Sequence, residues 1–551
     1  MPGLLHIFDC NHGAPVIATL LAISCSSPAE YADIRSPEDK TLVTEDTGSS
    51  LPAHHPFDAD WLRRVSYDLR GIPPTVSELS QLKQRPESGP EIRQSMFKHE
   101  RFSERMVHLL AERWHTRVDV FDIVVYDYGL DETLEYEFER AVGEEPLRIM
   151  SHIIANDLPW TETVLGDWTM ATPLLASIWP ITYPEGQRGW QVSKYNDTRP
   201  NVGVLSTNGL WWRYTTTDSN MNRRRAAAIS RLLLCEDFLS RPVAFSEADT
   251  TISSTADAVQ SDPYCLACHA SLDPIAASLF GFWWLSLYSE IEETNYHPER
   301  ESLWEQFLGV APGWYGQPIS GLPDLGVSIA RDSRFYSCAV ESFAETLWRR
   351  PTTAGDSETL EALRVQLLNT DNRIQPLLSS LTETEAYITG DVRMLTHDQF
   401  NSAIKTLTDF EWTFDGFDEI DSDRTGYRLL LGGVDGVANR RPQQTPSFTW
   451  ALVIKRAAEA AAHHVVEREL IQGEKSVFFN HITSVNDGPG TASFNAELRY
   501  LHRKLYSHQA TNEWMDDIEN LWTAVAADSN ATEAWKATIA ALLRDPAFLS
   551  Y

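Results

Sequence analysis

Basic residues are scarce. The 551-residue chain has 46 Lys and Arg against 78 Asp and Glu, a net charge of −32. So acidic a surface repels phosphate backbones, which argues against nucleic acid and anionic membranes as partners and suits a basic protein partner. Long apolar runs are missing too. The run from Ala14 to Ile23 falls well short of the roughly 20 residues a membrane-spanning helix needs, and no other stretch could span a bilayer. There is no Ser–His–Asp signature, no glycine-rich phosphate loop and no HExxH string, so the common hydrolase, nucleotide and metalloprotease motifs are absent.

What is present describes a globular chain. Hydrophobic residues make up 42% and Trp occurs 18 times, enough for a substantial core, and the length predicts two or three packed units. Residues 1–25 read as an export signal, in which the apolar run leads into Ser24-Cys25-Ser26-Ser27. The small residues before Cys25 resemble a bacterial lipoprotein signal and make Cys25 a lipidation candidate. No Lys or Arg precedes the run, and Ala22 stands where such signals usually carry Leu. Residues 26–56, rich in Ser, Pro, Asp and Thr, predict a linker.

From Phe57 onward the apolar spacing is helical. Leu62, Val65 and Leu69 share one face of a segment that Asp58 caps and Gly71, Pro73 and Pro74 end. Thr75 with Glu78 predicts a capping box, and Thr396 with Gln399 another. Further helices are expected over 97–114, 146–157, 223–237, 339–349, 358–368, 450–470, 497–507 and 532–544, a mainly α fold. Arg101-Phe102-Ser103 leading to Trp114 is echoed by Arg334-Phe335-Tyr336 leading to Trp348, and Asp332-x-x-Phe335 by Asp545-x-x-Phe548. These are repeated helix–turn–helix units or a shared turn signal. Asp415 to Gly426 has the front half of a calcium-loop pattern, but the twelfth position from Asp421 is Gly432 and not Glu, so a solvated loop is expected.

The string that carries chemistry is Cys265-Leu266-Ala267-Cys268-His269. C-x-x-C-H is the attachment pattern of c-type haem: two thiols on one helical turn each add to a haem vinyl group, and the following imidazole meets the iron. A zinc site needs a second pair of soft ligands, and a thioredoxin-like dithiol needs a βαβ setting. Neither is apparent. The expected cofactor is one covalent haem c, held by Cys265 and Cys268 with His269 as proximal ligand. Cys235 and Cys338 would oxidise together outside a reducing cytosol, or remain as two buried thiols. Arg199, Arg223 and Arg224, with Arg225, are candidate clamps for haem propionates, although arginine is also a routine solvated helix residue. Trp211-Trp212 and Trp283-Trp284 read as core.

The haem string continues as Leu272-Asp273-Pro274 ahead of Phe280-Gly281-Phe282. This resembles the large bacterial cytochrome-c-associated families of unknown function found in planctomycetes and myxobacteria. Trp61 to Thr75 looks like their opening segment, Trp160 to Met170 like the stretch preceding the haem region, and Gly203 to Cys235 and Asp332 to Arg350 like the blocks flanking the motif. The similarity covers most of 58–390 and 391–551 more loosely. It implies a haem and an exported location but no reaction. Related families often place Met or Phe where Met170 follows Thr169. Met170, in a segment with turn-like bounds, is therefore the first candidate for the distal iron ligand. Met221 is the second and His297 the third.

The expected organisation is a helical, cytochrome-c-like haem region over 57–390 and a C-terminal helical domain over 391–551. The expected function is one-electron transfer by an exported mono-haem protein of the periplasm or of the outer-membrane or cell surface. Its partner would be a redox protein, basic if charge guides it, and membrane contact would come only through a lipid anchor on Cys25. Two alternatives are a peroxidase- or oxygenase-type haem enzyme with an open distal site, which the excess mass around one haem suits, and an envelope binding protein with structural haem.

Overall fold

The helix expected after Asp58 forms as α1 (Ala59–Arg70). The Asp58 carboxylate accepts from the Trp61 amide at 2.8 Å, and Gly71 ends the helix in the left-handed conformation at φ 69°. Leu62, Val65 and Leu69 are fully buried, but so are Ser66, Tyr67 and Asp68. Only Asp60 in the first turn is exposed, so the helix is covered on most of its circumference and acts as an internal strut more than a surface helix. This computed structural model describes residues 57–118, 125–241, 259, 262–283, 296–422 and 426–551. The signal segment, the linker and Cys25 lie outside the described residues.

Among the described residues the fold is mainly helical. α2 (Val76–Gln84) opens on the Thr75–Glu78 capping box, followed by α3 (Gly89–Met96) and α4 (Glu100–Trp114). α5 (Glu135–Ala155) begins well before the expected start at 146, because Pro146 lies inside it instead of opening it. Pro146 lacks the donor that would bond the Val142 carbonyl. That oxygen is where Gly209, from a later helix, makes its close approach, and a Cβ on Gly209 would collide with it.

Three short strands were not expected. β1 (Thr169–Ala171), β2 (Ile181–Thr182) and β3 (Gln191–Tyr195) form an antiparallel sheet in the order β1-β3-β2, with Met170 opposite Val192. Met170 therefore stands in a strand, not in a turn, since pairing with a distant segment overrides the local signal. α6 (Asn208–Arg213), α7 (Arg223–Leu234) and α8 (Pro263–Ala277) follow, then the hairpin β4 (Gly313–Trp314) with β5 (Gln317–Pro318). The Cys265–His269 string lies on α8, which packs on α7 and β4.

α9 (Leu322–Arg331) and α10 (Ser333–Trp348) carry the echo of α4. Both α4 and α10 end on Trp with a left-handed residue after it, His115 at φ 52° and Arg349 at φ 55°. Asp332 caps α10, and Asp545 caps the final turn Pro546–Leu549 in the same way. α11 (Ser357–Asn369) and α12 (Ile374–Leu381) complete this part. Beyond it lie α13 (His397–Thr408) with its Thr396–Gln399 capping box, α14 (Phe448–Val465) with a π-helical continuation to Ile471, α15 (Ala492–Tyr506), α16 (Asn512–Asp528) and α17 (Ala531–Leu542).

Buried apolar side chains form one large cluster between Trp61 and Tyr387 and a second between Leu395 and Tyr551, with Tyr67 of α1 in the second. A smaller cluster under the sheet holds Phe138, Leu175 and Trp179. The described residues belong to one compact unit, and buried or partly buried polar bonds join the two large clusters. Arg105 meets Asp398 at 2.5 Å, Arg393 meets Asp68 at 2.8 Å, and Asp421 meets Arg117 at 2.8 Å and Arg140 at 2.6 Å. Arg63 donates to the carbonyls of Leu505, Ala547, Phe548 and Ser550 at 2.7–3.2 Å. Asp421 corrects the expectation of a solvated acidic loop. The segment contains a hairpin, β6 (Thr413–Phe414) with β7 (Phe417–Asp418), and its aspartate is drawn inward by two guanidinium groups; residues 423–425 lie outside the described residues.

Candidate functional site

The first turn of α8 brings the reactive residues together. The Asp262 carboxylate accepts from the amides of Tyr264 (2.7 Å) and Cys265 (3.4 Å), and Pro263 at the first helical position has no amide hydrogen to leave unpaired. This fixes the turn on which Cys265 and Cys268 stand three positions apart. Both are free thiols and half-buried. Tyr264 and Leu266 on the same turn are 51% and 36% exposed, so apolar side chains lie open beside the thiols.

His269 is held from behind. Its Nδ1 lies 2.9 Å from Oδ1 of Asp273, one helical turn on, and Asp273 is buried. Arg223, at the start of α7, grips the same carboxylate with both prongs: Nε reaches Oδ1 at 2.7 Å and Nη2 reaches Oδ2 at 2.9 Å. An ionised carboxylate only accepts, so the hydrogen on the His269 side belongs to Nδ1, and in the neutral imidazole that leaves the lone pair to Nε2. Among the described residues nothing bonds Nε2. The Arg223 and His269 hydrogen bonds hold the Asp273 carboxyl below its usual value although burial opposes them as the largest single influence. The His269–Asp273 contact was not read from the sequence, although the i, i+4 spacing was the signal that could have given it; for the arginine, 50 residues upstream, there was no such signal.

Arg223 is thus committed to Asp273. Arg199 is buried and its guanidinium is bound internally to Asp197, the Ser206 carbonyl and Asn208, with its plane 3.7 Å from the Tyr195 ring centroid. Arg225 is buried and donates to the carbonyls of Tyr214, Trp211 and Phe282. Arg224 is exposed, with one guanidinium contact to Thr215 at 3.4 Å. Of the four arginines, then, Arg224 presents its guanidinium to solvent. Met170 is 6% exposed in β1, which packs on β3 and α5. Met221 is half-buried in the turn entering α7, the helix on which α8 rests, and like Cys268 it borders the first large cluster. His297 bonds Glu299 through Nδ1 at 3.0 Å, and its amide donates to the Gly281 carbonyl at 2.7 Å. Trp211, Trp212 and Trp283 are buried in the core.

Cys235 and Cys338 form a disulfide with Cα atoms 5.1 Å apart. It links the end of α7 to α10 and closes a loop of 103 residues that contains the whole of α8.

One cluster was missed from sequence. Among the described residues, His108, His397 and Asp398 bring possible metal-binding atoms within 4.8 Å of one another. No spacing signal links residues so far apart in the chain. Two of the three are already engaged: Arg117 donates to His108 Nδ1 at 2.8 Å, and Arg105 donates to Asp398 at 2.5 Å, while His397 Nε2 is buried without a partner. Burial drives His397 down to about 3, and Arg428 opposes its protonation as well. With these guanidinium groups around it the cluster is an ion-pair lock between α4 and α13, poorly suited to a cation.

Compared with protein families, with curated proteins and with solved structures, the chain matches none.

Proposed function

We propose that the chain carries one covalent haem c on Cys265 and Cys268, with His269 as the proximal ligand, and that it passes single electrons outside the cytoplasm. The observation that carries this reading is the first turn of α8: two free thiols three positions apart, followed directly by an imidazole whose Nδ1 is fixed and whose Nε2 is unengaged. The donor set fits the group. Thiols on one turn suit addition to two vinyl groups, the open Tyr264 and Leu266 offer apolar surface for a macrocycle, and a histidine with Nδ1 bonded to a carboxylate is the usual state of a metal-ligating imidazole. Bound haem would supply one-electron chemistry, its potential set by axial ligands, hydrogen bonding and burial. Arg224 is the arginine best placed to meet a propionate, since the others have internal partners. Met170 and Met221 remain the candidate sixth ligands. The resemblance to cytochrome-c-associated families accords with this reading, and an export signal ending near Cys25 would bring the chain to a compartment that also suits the disulfide.

The test is made on the full chain produced with a cytochrome c maturation system. The polypeptide should gain the mass of one haem, keep its colour through denaturation and show a reduced-minus-oxidised c-type spectrum. Cys265→Ala with Cys268→Ala should remove all three. Wild-type protein that leaves maturation without added mass would overturn the proposal.

A further inference from the structure

We infer that Arg223, Asp273 and His269 form a fixed relay that makes the His269 imidazole a strongly electron-donating ligand, so that the centre operates at low potential and favours ferric iron. The inference rests on the proposed haem. It departs from the high potential that a Met/His pair alone would give.

The relay is built to hold one arrangement. Asp273 is 4% exposed and accepts from His269 on one side and from the Arg223 fork on the other. The fork contacts both oxygens, so the carboxylate cannot rotate away from the imidazole. An anion accepting the Nδ1 hydrogen draws that proton toward itself and leaves more electron density at Nε2, which stabilises the higher charge of ferric iron over ferrous. Arg223 tempers the effect by sharing the same anion.

The backbone before Arg223 points the same way. Met221 and Asn222 are consecutive non-glycine residues in the left-handed region, at φ 53° and 65°. Side chains rarely adopt this region unless their surroundings impose it. Here the Asn222 amide is tied to Thr216 Oγ1 at 2.7 Å, and the Asn222 side chain accepts from Arg225 at 3.1 Å. The strained turn delivers Arg223 to Asp273 as the first residue of α7. An ion pair that merely joined α7 to α8 would not require so specific an aim.

Asp273 is a positioning residue on this account, and the test separates that role from a structural one. Midpoint potentials are measured at pH 8 on haem-loaded wild type, Asp273→Asn and Arg223→Gln, with covalent haem checked by mass. Asp273→Asn should shift the ferric–ferrous equilibrium about tenfold toward ferrous, about 59 mV for a one-electron couple. Arg223→Gln should move it the opposite way, because the carboxylate is then left to the imidazole alone. A structural ion pair predicts no such opposite signs. An Asp273→Asn potential within about 10 mV of wild type, with haem mass intact, overturns the inference while leaving the haem reading standing. Wild type without haem mass overturns both. A second measurement needs no haem: 15N NMR of the unloaded full chain at pH 8 should find His269 as the Nδ1–H tautomer in wild type and as a tautomer mixture in Asp273→Asn. An unchanged tautomer balance in the variant counts against the relay.

Discussion

Asp68 is the keystone between the two hydrophobic clusters, and its replacement by Asn is the sharpest test of how they are joined. The Asp68 side chain is wholly buried. Oδ2 accepts from Arg393 at 2.8 Å and from the Tyr387 hydroxyl at 2.9 Å, while Oδ1 accepts from the Tyr551 hydroxyl at 2.8 Å. Asn preserves the shape but offers one acceptor where two stood, turning an amide donor toward other donors. It also leaves Arg393, whose side chain is 6% exposed, as a buried cation without its anion. Breaking a buried pair from one side costs about 3–5 kcal/mol, whereas replacing both members with neutral groups of similar volume is often close to neutral. Asp68→Asn should therefore lower the urea midpoint by the equivalent of about 4 kcal/mol at unchanged slope, and adding Arg393→Met should recover much of the loss. The assay is urea unfolding followed by far-UV circular dichroism and tryptophan fluorescence. A single-mutant loss under about 1 kcal/mol, or a double mutant weaker than the single, would refute the argument.

Burial pushes the Glu145 carboxyl up from 4.5 to about 7, against the hydrogen bonds it accepts from Thr169 and Tyr195. The folded state then holds a proton that the unfolded state releases, so this contribution is fully present below about pH 4.5 and is lost as pH rises through about 7, roughly 3 kcal/mol in all. Glu145→Gln should flatten that part of the stability–pH profile, and an identical slope in mutant and wild type would count against it. Cys235→Ser with Cys338→Ser opens a 103-residue loop, and the chain-entropy account gives a loss of about 4–5 kcal/mol, read from the same urea curves. A change under 1 kcal/mol would show that the reduced chain is already restrained there. Met170→Ala removes a 6% exposed core side chain and should cost about 2–5 kcal/mol; loss of a Met–iron absorption band in this variant, and not in Met221→Ala, would identify Met170 as the sixth ligand.

Local signals were the legible part of this fold. Asp58, Gly71, Thr75 with Glu78 and Thr396 with Gln399 act within a turn of where they stand, and each caps or ends the helix its chemistry predicts. Pro146 misled because it stands inside α5, which packs closely against Gly209 far along the chain. β1 and β3 escaped for the same reason: each is short, and only their pairing makes them strands. Asp421 read as solvated because the arginines that bury it are distant in sequence. At the site, the cysteines and His269 were legible as a pattern, while Asp273, one turn away, was read only as part of the Leu-Asp-Pro string. The commitment of Arg223 to Asp273, and of Arg199 to Asp197, could be learned only from the folded arrangement.

The Cys235–Cys338 bridge also bears on the order of events during biogenesis. Four thiols lie between residues 235 and 338, and in an extended chain the pair nearest in sequence is Cys265 with Cys268, not the native one. By loop-closure entropy alone, a contact three residues apart is favoured over one 103 residues apart by about 3 kcal/mol. An oxidant that reached the chain before folding would therefore tend to close the wrong ring first. Cys338 is buried in α10 and Cys235 sits at the end of α7, so the native ring forms efficiently only once those helices have docked. Oxidation has to follow folding, and Cys265 with Cys268 must be either kept reduced or already occupied when it happens. The chain thus carries a timing requirement, and a pulse of oxidant applied early or late in refolding should partition the product between a trapped and a competent form.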